Sequence, residues 1–194
     1  MGYRIVPCRS LCKGYREKLP GVWAALSPDG LPLPVMVVLW GPPGVGKSSL
    51  ALMLADDWPD RAIVLSFELG IGGAMAEYIS RLEVTKPDIS QPDTWEDVLD
   101  AVQAYSLVVV DTLQASSTDP TSWRGAIVER LGKTLVMTSQ VNKEGEVRGG
   151  LAAGHEADIS VELQRYGQAI VRKDRFGVVP REFEWALRRE GVKV

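Results

Sequence analysis

The chain has 194 residues, of which 45% are hydrophobic and 24% charged, a composition that fits one globular domain with a sizeable core. Its 22 basic and 25 acidic residues give a formal net charge of −3, so the chain as a whole lacks the basic excess typical of nucleic-acid-binding domains. No apolar run approaches the length of a membrane-spanning helix, and the first residues do not form a secretion signal. We therefore expect a cytoplasmic protein that does not enter a membrane.

Residues 1–34 differ in composition from the rest of the chain. They are rich in proline, glycine and basic residues, and only 23–26 predict a short helix. We interpret residues 1–34 as a lead-in segment that packs on the core or on a neighbouring subunit. Residues 35–194 are then a single domain.

Two cysteines, Cys8 and Cys12, lie close together in this segment. Zinc normally takes four protein ligands, and the only other good candidate is His155, far along the chain. Two free thiols in a reducing compartment are therefore favoured over a zinc site.

The stretch from Gly41 to Ser48 reads Gly-Pro-Pro-Gly-Val-Gly-Lys-Ser and matches the phosphate-loop pattern G-x-x-x-x-G-K-[ST] without departure. An apolar strand is predicted at 35–40 and the start of a helix at 50–55, which is the context in which this pattern binds phosphate. The glycines let several backbone N–H groups converge on one anion. The alternative is a plain turn between a strand and a helix. The predicted nucleotide contacts are Gly41, Pro42, Pro43, Gly44, Val45, Gly46, Lys47, Ser48 and Ser49.

The last residues of this pattern carry chemistry of their own. Lys47 is expected to reach the β- and γ-phosphates of a nucleotide, and the Ser48 hydroxyl to ligate Mg²⁺. The positive N-terminal end of the following helix adds to the attraction for phosphate. The sequence therefore predicts ATP and Mg²⁺ as cofactors.

Strands and helices alternate over the middle of the chain. Strands are predicted at 61–67, 107–110 and 134–139, helices at 74–82, 95–105 and 120–130, and a loop at 83–93. Continuously apolar strands that alternate with helices predict an α/β fold, with a mostly parallel twisted sheet covered by helices on both faces. Beyond residue 158, short strand-like pieces at 159–163, 169–172 and 182–185 predict antiparallel additions to one edge of the sheet.

Polar residues end three of the predicted strands. Because ligands of open α/β sheets bind outside the carboxyl ends of the strands, these residues should meet at one site. Asp111 is the expected Mg²⁺ carboxylate, although a strand-ending Asp also forms turns. Glu68 is interpreted as the general base that orients water, with an exposed strand-end acid as the alternative. Gln140 either senses the γ-phosphate or caps the following loop.

Several motifs together resemble the RecA-like P-loop ATPase core, and within it the DnaB-type hexameric helicases and the bacterial RadA/Sms repair ATPases. Residues 66–69 are similar to the helicase Ser-Leu-Glu-Met motif and 173–177 differ by one residue from the Lys-Asn-Arg-Phe-Gly motif of RadA. Four further stretches resemble motifs of these helicases or of RadA: Val110-Asp111-Thr112-Leu113-Gln114, Ser139-Gln140-Val141-Asn142, Asn142-Lys143-Glu144-Gly145 and Glu156-Ala157-Asp158. The resemblance covers roughly residues 35–185.

The resemblance implies a role for each strand-end residue. Glu68 corresponds to the catalytic glutamate, Asp111 to the Walker-B acid and Gln140 to the γ-phosphate sensor. It also implies that Lys173 and Arg175 reach into the nucleotide site of an adjacent subunit, where their charge would stabilise the transition state. Alternation along a strand puts these two cations on the same face. The alternative is a solvated basic strand.

The glycine-rich stretch 143–154 lies where this family places its DNA-contacting loops. Lys143 and Arg148 are the expected contacts to single-stranded DNA, although two acids share the stretch. One copy would bind weakly, whereas a homo-oligomer could sum several weak contacts. A plain mobile loop is the alternative.

The expected function is therefore an ATPase core that forms a ring, such as a hexamer, or a filament and acts with DNA in recombination, repair or replication. A second hypothesis is a nucleotide-gated regulatory or assembly ATPase of the same fold without motor action on DNA. A third, a monomeric phosphoryl transferase, would need an acceptor lid with several arginines, which the sequence does not indicate. It would also leave Lys173 and Arg175 without a role.

Overall fold

An eight-stranded sheet organises the part of the chain that the computed structural model describes, which is residues 16–113, 116, 118–141, 155–177 and 179–185. The strand order across the sheet is β3-β2-β4-β5-β1-β6-β7-β8. The strands from β3 to β6 in this order run parallel, and β7 and β8 are antiparallel additions. The strands are β1 (Met36–Gly41), β2 (Ala62–Ser66), β3 (Asp88–Ser90), β4 (Leu107–Asp111), β5 (Thr134–Gln140), β6 (Ile159–Arg165), β7 (Gln168–Asp174) and β8 (Arg181–Glu184).

The helices begin where the local sequence supplies caps. Thr94 and Asp97 form a reciprocal capping box at the start of α4, and Asp119 accepts a hydrogen bond from the Ser122 backbone at the start of α5. After Trp123 the helix continues in π geometry over Arg124–Arg130. The α-helices are α1 (Val22–Leu26), α2 (Lys47–Asp56), α3 (Gly73–Leu82), α4 (Trp95–Ala101) and α5 (Pro120–Trp123).

Two hydrophobic cores lie on the two faces of the sheet. In β4, Leu107 and Val109 face the core shared with α1 and α2, while Val108 and Val110 face the core shared with α4 and α5. All four side chains are buried. Because both faces are covered, these strands are continuously apolar rather than alternating. The predicted α/β fold with antiparallel strands at its C-terminal edge is thereby confirmed.

Two sequence predictions about strands were wrong. The loop predicted at 83–93 contains β3, a three-residue edge strand paired with β2. The flanking Pro87 and Pro92 mask such a short element in the sequence, whereas its pairing depends on a partner strand from elsewhere in the chain. In addition, β6 runs parallel to β1, so only β7 and β8 are antiparallel additions.

The described part of the lead-in segment contributes to the core on the α2 face. Leu19, Trp23, Leu26 and Leu31 are buried there. The indole of Trp23, which is 1% exposed, donates a hydrogen bond from Nε1 to the Leu54 carbonyl at 2.7 Å and packs against Trp58. None of the helices in the described ranges is long and apolar enough to cross a membrane.

Replacing Trp23 by alanine should lower the free energy of unfolding by about 3–5 kcal/mol, because the substitution removes a buried indole and leaves a cavity against α2. Urea denaturation followed by circular dichroism measures the loss. The control is Ile71→Ala, which truncates a side chain that is 65% exposed and should change stability by less than about 0.5 kcal/mol. Equal losses in the two variants would contradict the contribution of α1 to the core.

Candidate nucleotide-binding site

The loop between β1 and α2 is shaped by glycine backbone conformations. Gly46, which immediately precedes α2, has a φ of 93°. This is a left-handed backbone conformation that residues with a side chain rarely adopt. A Cβ atom at this position would lie 2.7 Å from Cη2 of Trp185, so the loop and the indole pack closely. The loop therefore presents its backbone at the N-terminal end of a ten-residue helix, as phosphate binding requires.

Lys47 is the first residue of α2 and is largely buried. Its Nζ donates hydrogen bonds to the carbonyls of Gly41 at 3.0 Å and Pro42 at 2.7 Å, so the ammonium is held within the loop. Burial lowers the pKa of Lys47, and the nearby carboxylates of Asp111 and Glu68 oppose that shift. A cation with few surrounding waters interacts strongly with an anion that enters the loop.

The carboxylate of Asp111, at the end of β4, links the phosphate loop to the sheet. Its Oδ1 accepts hydrogen bonds from Ser48 Oγ at 2.9 Å and from Thr138 Oγ1 at 2.7 Å. Burial raises the pKa of Asp111, and the two hydroxyl donors act in the opposite direction. Burying the carboxylate costs free energy, and the two hydroxyl donors and the charge of Lys47 offset part of that cost.

This donor set fits Mg²⁺. Ser48 and Asp111 supply the oxygen ligands that this ion prefers, and they already lie within hydrogen-bond distance of each other. Ser66 pairs with Asp111 in the β2–β4 register, and its buried Oγ has no hydrogen-bond partner among the described residues. Because Mg²⁺ keeps several of its waters, such a hydroxyl suits a hydrated ion. No group of three or more His, Cys, Asp and Glu residues suited to a metal occurs in the described ranges.

Glu68 and Gln140 complete the polar lining of a cleft with a volume of about 320 Å³. Glu68 follows β2, is exposed, and its Oε2 accepts a short hydrogen bond from Thr112 Oγ1. Gln140 ends β5 directly beside Gly41 in the register of the sheet. The cleft is thus assembled from the carboxyl ends of β1, β2, β4 and β5 and from the first turn of α2. It is large enough for a small-molecule ligand.

The structure adds three cleft residues that the sequence did not indicate: Tyr78, Arg81 and Tyr166. The Tyr78 hydroxyl lies 2.5 Å from Ser49 Oγ, and burial raises the pKa of Tyr78. The Arg81 guanidinium lies 5.0 Å from the centre of the Tyr78 ring. Their spacing of three residues on one helix, which places both on one face, is the signal that could have found this pair. A single arginine thus lines the described cleft, rather than the lid of several that a phosphoryl transferase would need.

Tyr166 comes from the turn between β6 and β7 and reaches the phosphate loop from the far side of the cleft. Its ring centre lies 5.0 Å from that of Trp185, and a Cβ at Gly46 would lie 2.9 Å from Tyr166 Cδ2. The antiparallel strands at the sheet edge therefore provide one wall of the cleft. No local sequence signal reports this contact, because it joins residues 120 positions apart.

Lys173 and Arg175 do not lie in this cleft. Asp174, which lies between them in the sequence, pairs with Ile159 of β6. Ile159 in turn pairs with Val37, near the start of β1. Gly41 is four residues further along β1, a distance of about 13 Å along the strand, and two strand spacings add about 10 Å sideways. These two cations therefore lie toward the amino edge of the sheet, away from the phosphate loop of their own chain. Lys143, Arg148, Cys8 and Cys12 lie outside the described residues.

Comparisons with known proteins agree with this geometry. A family model described as an AAA domain matches residues 33–126, which span the phosphate loop, Glu68 and Asp111. The DNA repair protein RadA of Mycolicibacterium smegmatis is 25% identical over 193 residues, an alignment that covers 84% of this chain and 41% of RadA. Together with the fold, these matches support a RecA-like P-loop ATPase domain that resembles RadA. It spans less than half the length of that relative.

Lys47→Ala should abolish ATP binding and hydrolysis together, because it removes the buried cation of the loop. Glu68→Gln should leave ATP bound but slow its turnover by about a hundredfold or more, as expected when a general base is lost. Calorimetry with a non-hydrolysable ATP analogue and a phosphate-release assay separate the two effects. The control is Glu77→Gln, on the exposed side of α3, which should match the unmodified chain. Equal turnover by Glu68→Gln and the control would contradict the role of Glu68.

Proposed function

We propose that this chain is the ATP-hydrolysing core of a homo-oligomer, a ring or a filament, that acts with DNA in recombination, repair or replication. One observation carries the proposal: the nucleotide cleft lies at the carboxyl ends of the parallel strands, whereas Lys173 and Arg175 lie near the amino ends of the same strands. A single copy therefore has both halves of a hydrolytic site but cannot bring them together. A second copy stacked against the first could do so.

Each described residue of the cleft has a distinct task in this proposal. The loop backbone and Lys47 bind the phosphates of ATP. Glu68 orients the attacking water and accepts its proton, with Thr112 fixing the carboxylate through their short hydrogen bond. Gln140 contacts the γ-phosphate from the end of β5. Ser48 and Asp111 would hold Mg²⁺, which when bound neutralises part of the phosphate charge.

Lys173 and Arg175 supply the remaining charge from the neighbouring copy. Hydrolysis spreads negative charge over the γ-phosphoryl oxygens, and a cation held close to them stabilises that charge. Hydrolysis is then tied to assembly, because a solitary copy lacks this contribution. Arg81 lines the cleft of its own chain and lies against Tyr78, and in this proposal the charge that depends on assembly comes from Lys173 and Arg175 instead.

The DNA-directed part of the proposal is supported by resemblance. The similar RadA chain is named a DNA repair protein. The resemblance noted in the sequence implies that the stretch 143–154 corresponds to the DNA-contacting loops of the family. Lys143 and Arg148 are the proposed phosphate contacts. Since the net charge is −3, affinity for single-stranded DNA would come from several copies acting together.

A second candidate is a nucleotide-gated assembly protein of the same fold that does not act on DNA. The net charge of −3 and the presence of Glu144 and Glu146 beside the proposed DNA contacts favour it. The two candidates share the cleft and the contribution in trans. They differ only in their response to nucleic acid.

The ATPase rate per molecule, measured against protein concentration with and without single-stranded DNA, separates these functions. The proposed function predicts that the rate rises cooperatively with concentration and rises further with DNA. The second candidate predicts the rise with concentration alone. A rate that is independent of concentration and of DNA would contradict both and indicate a monomeric enzyme.

Arg175→Ala should lose hydrolysis while its isolated subunits still bind ATP, because its own cleft is intact. Mixing it with the equally inactive Lys47→Ala should restore part of the activity, since some interfaces then combine an intact cleft with an intact Arg175. The readout is phosphate release at constant total protein. An unchanged rate in Arg175→Ala alone would contradict the contribution in trans.

A further inference from the structure

At the amino edge of the sheet, three basic side chains converge on the short stretch 155–158. Lys173 Nζ donates to the His155 carbonyl at 2.8 Å, and Arg175 Nη2 donates to the same oxygen at 3.1 Å. Arg175 also forms an ion pair with Asp158, with its Nη1 3.1 Å from Oδ1. Arg124 contacts Asp158 from the other side. The two cations that the proposed function sends to a neighbouring copy are therefore held by specific acceptors.

Asp158 is the centre of this cluster, and its side chain is only 6% exposed. Its Oδ2 accepts a hydrogen bond from the Met36 backbone N–H at 2.9 Å, at the start of β1. Arg124 approaches it with both terminal nitrogens, Nη1 at 3.1 Å from Oδ2 and Nη2 at 3.3 Å from Oδ1. A paired guanidinium fixes the orientation of a carboxylate more strictly than a single contact does.

Arg124 is itself fixed by the π-helical segment that it begins. In π geometry residues five apart face one another, and Arg124 Nε lies 3.1 Å from the carboxylate of Glu129. Its Nη1 also donates to the Glu156 carbonyl at 2.6 Å. With its side chain 16% exposed, Arg124 is a rigid support behind Asp158 rather than a mobile surface charge.

An irregularity in β7 directs Lys173 into this cluster. Val161 pairs with Val171 but Ser160 pairs with Lys173, so Arg172 is an extra residue in the ladder, which is a β-bulge. Val171 is buried in the core. Strict alternation from Val171 would turn Lys173 toward the same core, and the bulge turns it away instead. Arg175 remains 45% exposed, so it is anchored at Asp158 and still accessible to another molecule.

We propose that Asp158, supported by Arg124, is a positioning residue that holds Arg175, and beside it Lys173, in place for the nucleotide site of a second copy. This inference rests on the proposed function. A long basic side chain on a surface samples many rotamers, and holding it in one arrangement before contact avoids that entropic cost at each encounter. Asp158 acts through Arg175 and does not itself touch the nucleotide.

The test compares Asp158→Asn with Glu162→Gln. Asp158→Asn keeps an acceptor for Met36 but removes the charge that orients Arg175. Glu162→Gln removes the charge from the Arg172–Glu162 ion pair of 2.5 Å, which joins β6 to β7 close to the cluster. For Asp158→Asn we expect kcat to fall between about tenfold and a hundredfold, with the KM for ATP and the affinity for a non-hydrolysable analogue unchanged. Glu162→Gln should match the unmodified chain. Arg124→Gln should shift kcat in the same direction by a smaller factor.

Mixing separates positioning from a folding defect. Asp158→Asn subunits have an intact cleft, so adding Lys47→Ala subunits should raise the rate, as with Arg175→Ala. Failure of that mixture to recover, while the Arg175→Ala mixture recovers, would overturn the positioning role. If Asp158→Asn does not fold, the same criteria apply to Arg124→Gln.

Two outcomes separate this inference from the proposed function. An unchanged or increased kcat in Asp158→Asn, together with a loss in Arg175→Ala, would overturn the positioning role and leave the proposed function standing. An increase would mean that Asp158 sequesters Arg175 instead. Full activity of Arg175→Ala itself would overturn both.

Discussion

The buried carboxylate of Asp111 and the hydroxyls that surround it are the interaction on which the cleft depends. Ionised side chains are expensive to bury, and here the cost is offset by hydrogen bonds from Ser48 and Thr138. Those bonds join β4 and β5 to the first turn of α2, so the phosphate loop is fixed relative to the sheet. An acid held in this way behind Ser48 and Thr138, which line the cleft, is also suited to a positive ion.

The cleft and the hairpin of β7 make different demands on the fold. The cleft needs parallel strands whose carboxyl ends meet at one edge, which β1, β2, β4 and β5 supply. In the hairpin, β7 runs back alongside β6, so its basic residues lie near the amino ends of the parallel strands. The same topology that builds a nucleotide site therefore separates it from Lys173 and Arg175. That geometry supports the division of labour between copies that we propose.

The sequence predicted what local pattern encodes and missed what distant pairing creates. The phosphate loop and the apolar strands could be found because each has a contiguous signature, as the match of Gly41 to Ser48 illustrates. The strand β3 could not, because three residues between prolines pair only when β2 is beside them. Tyr166 reaches the loop by a contact across the chain, and the bulge that redirects Lys173 depends on the register of β6 against β7. The roles assigned to individual site residues all stay predictions, which applies to Lys47, Ser48, Glu68, Asp111, Gln140, Lys143, Arg148, Lys173 and Arg175.

The acceptor shared by Lys173 and Arg175 is a main-chain oxygen, that of His155. Every residue type carries this oxygen, so a substitution of His155 would leave the acceptor of the two basic side chains in place. Both basic groups therefore depend on the path of the main chain at this one peptide, and a shift of the peptide would displace an acceptor of both at once.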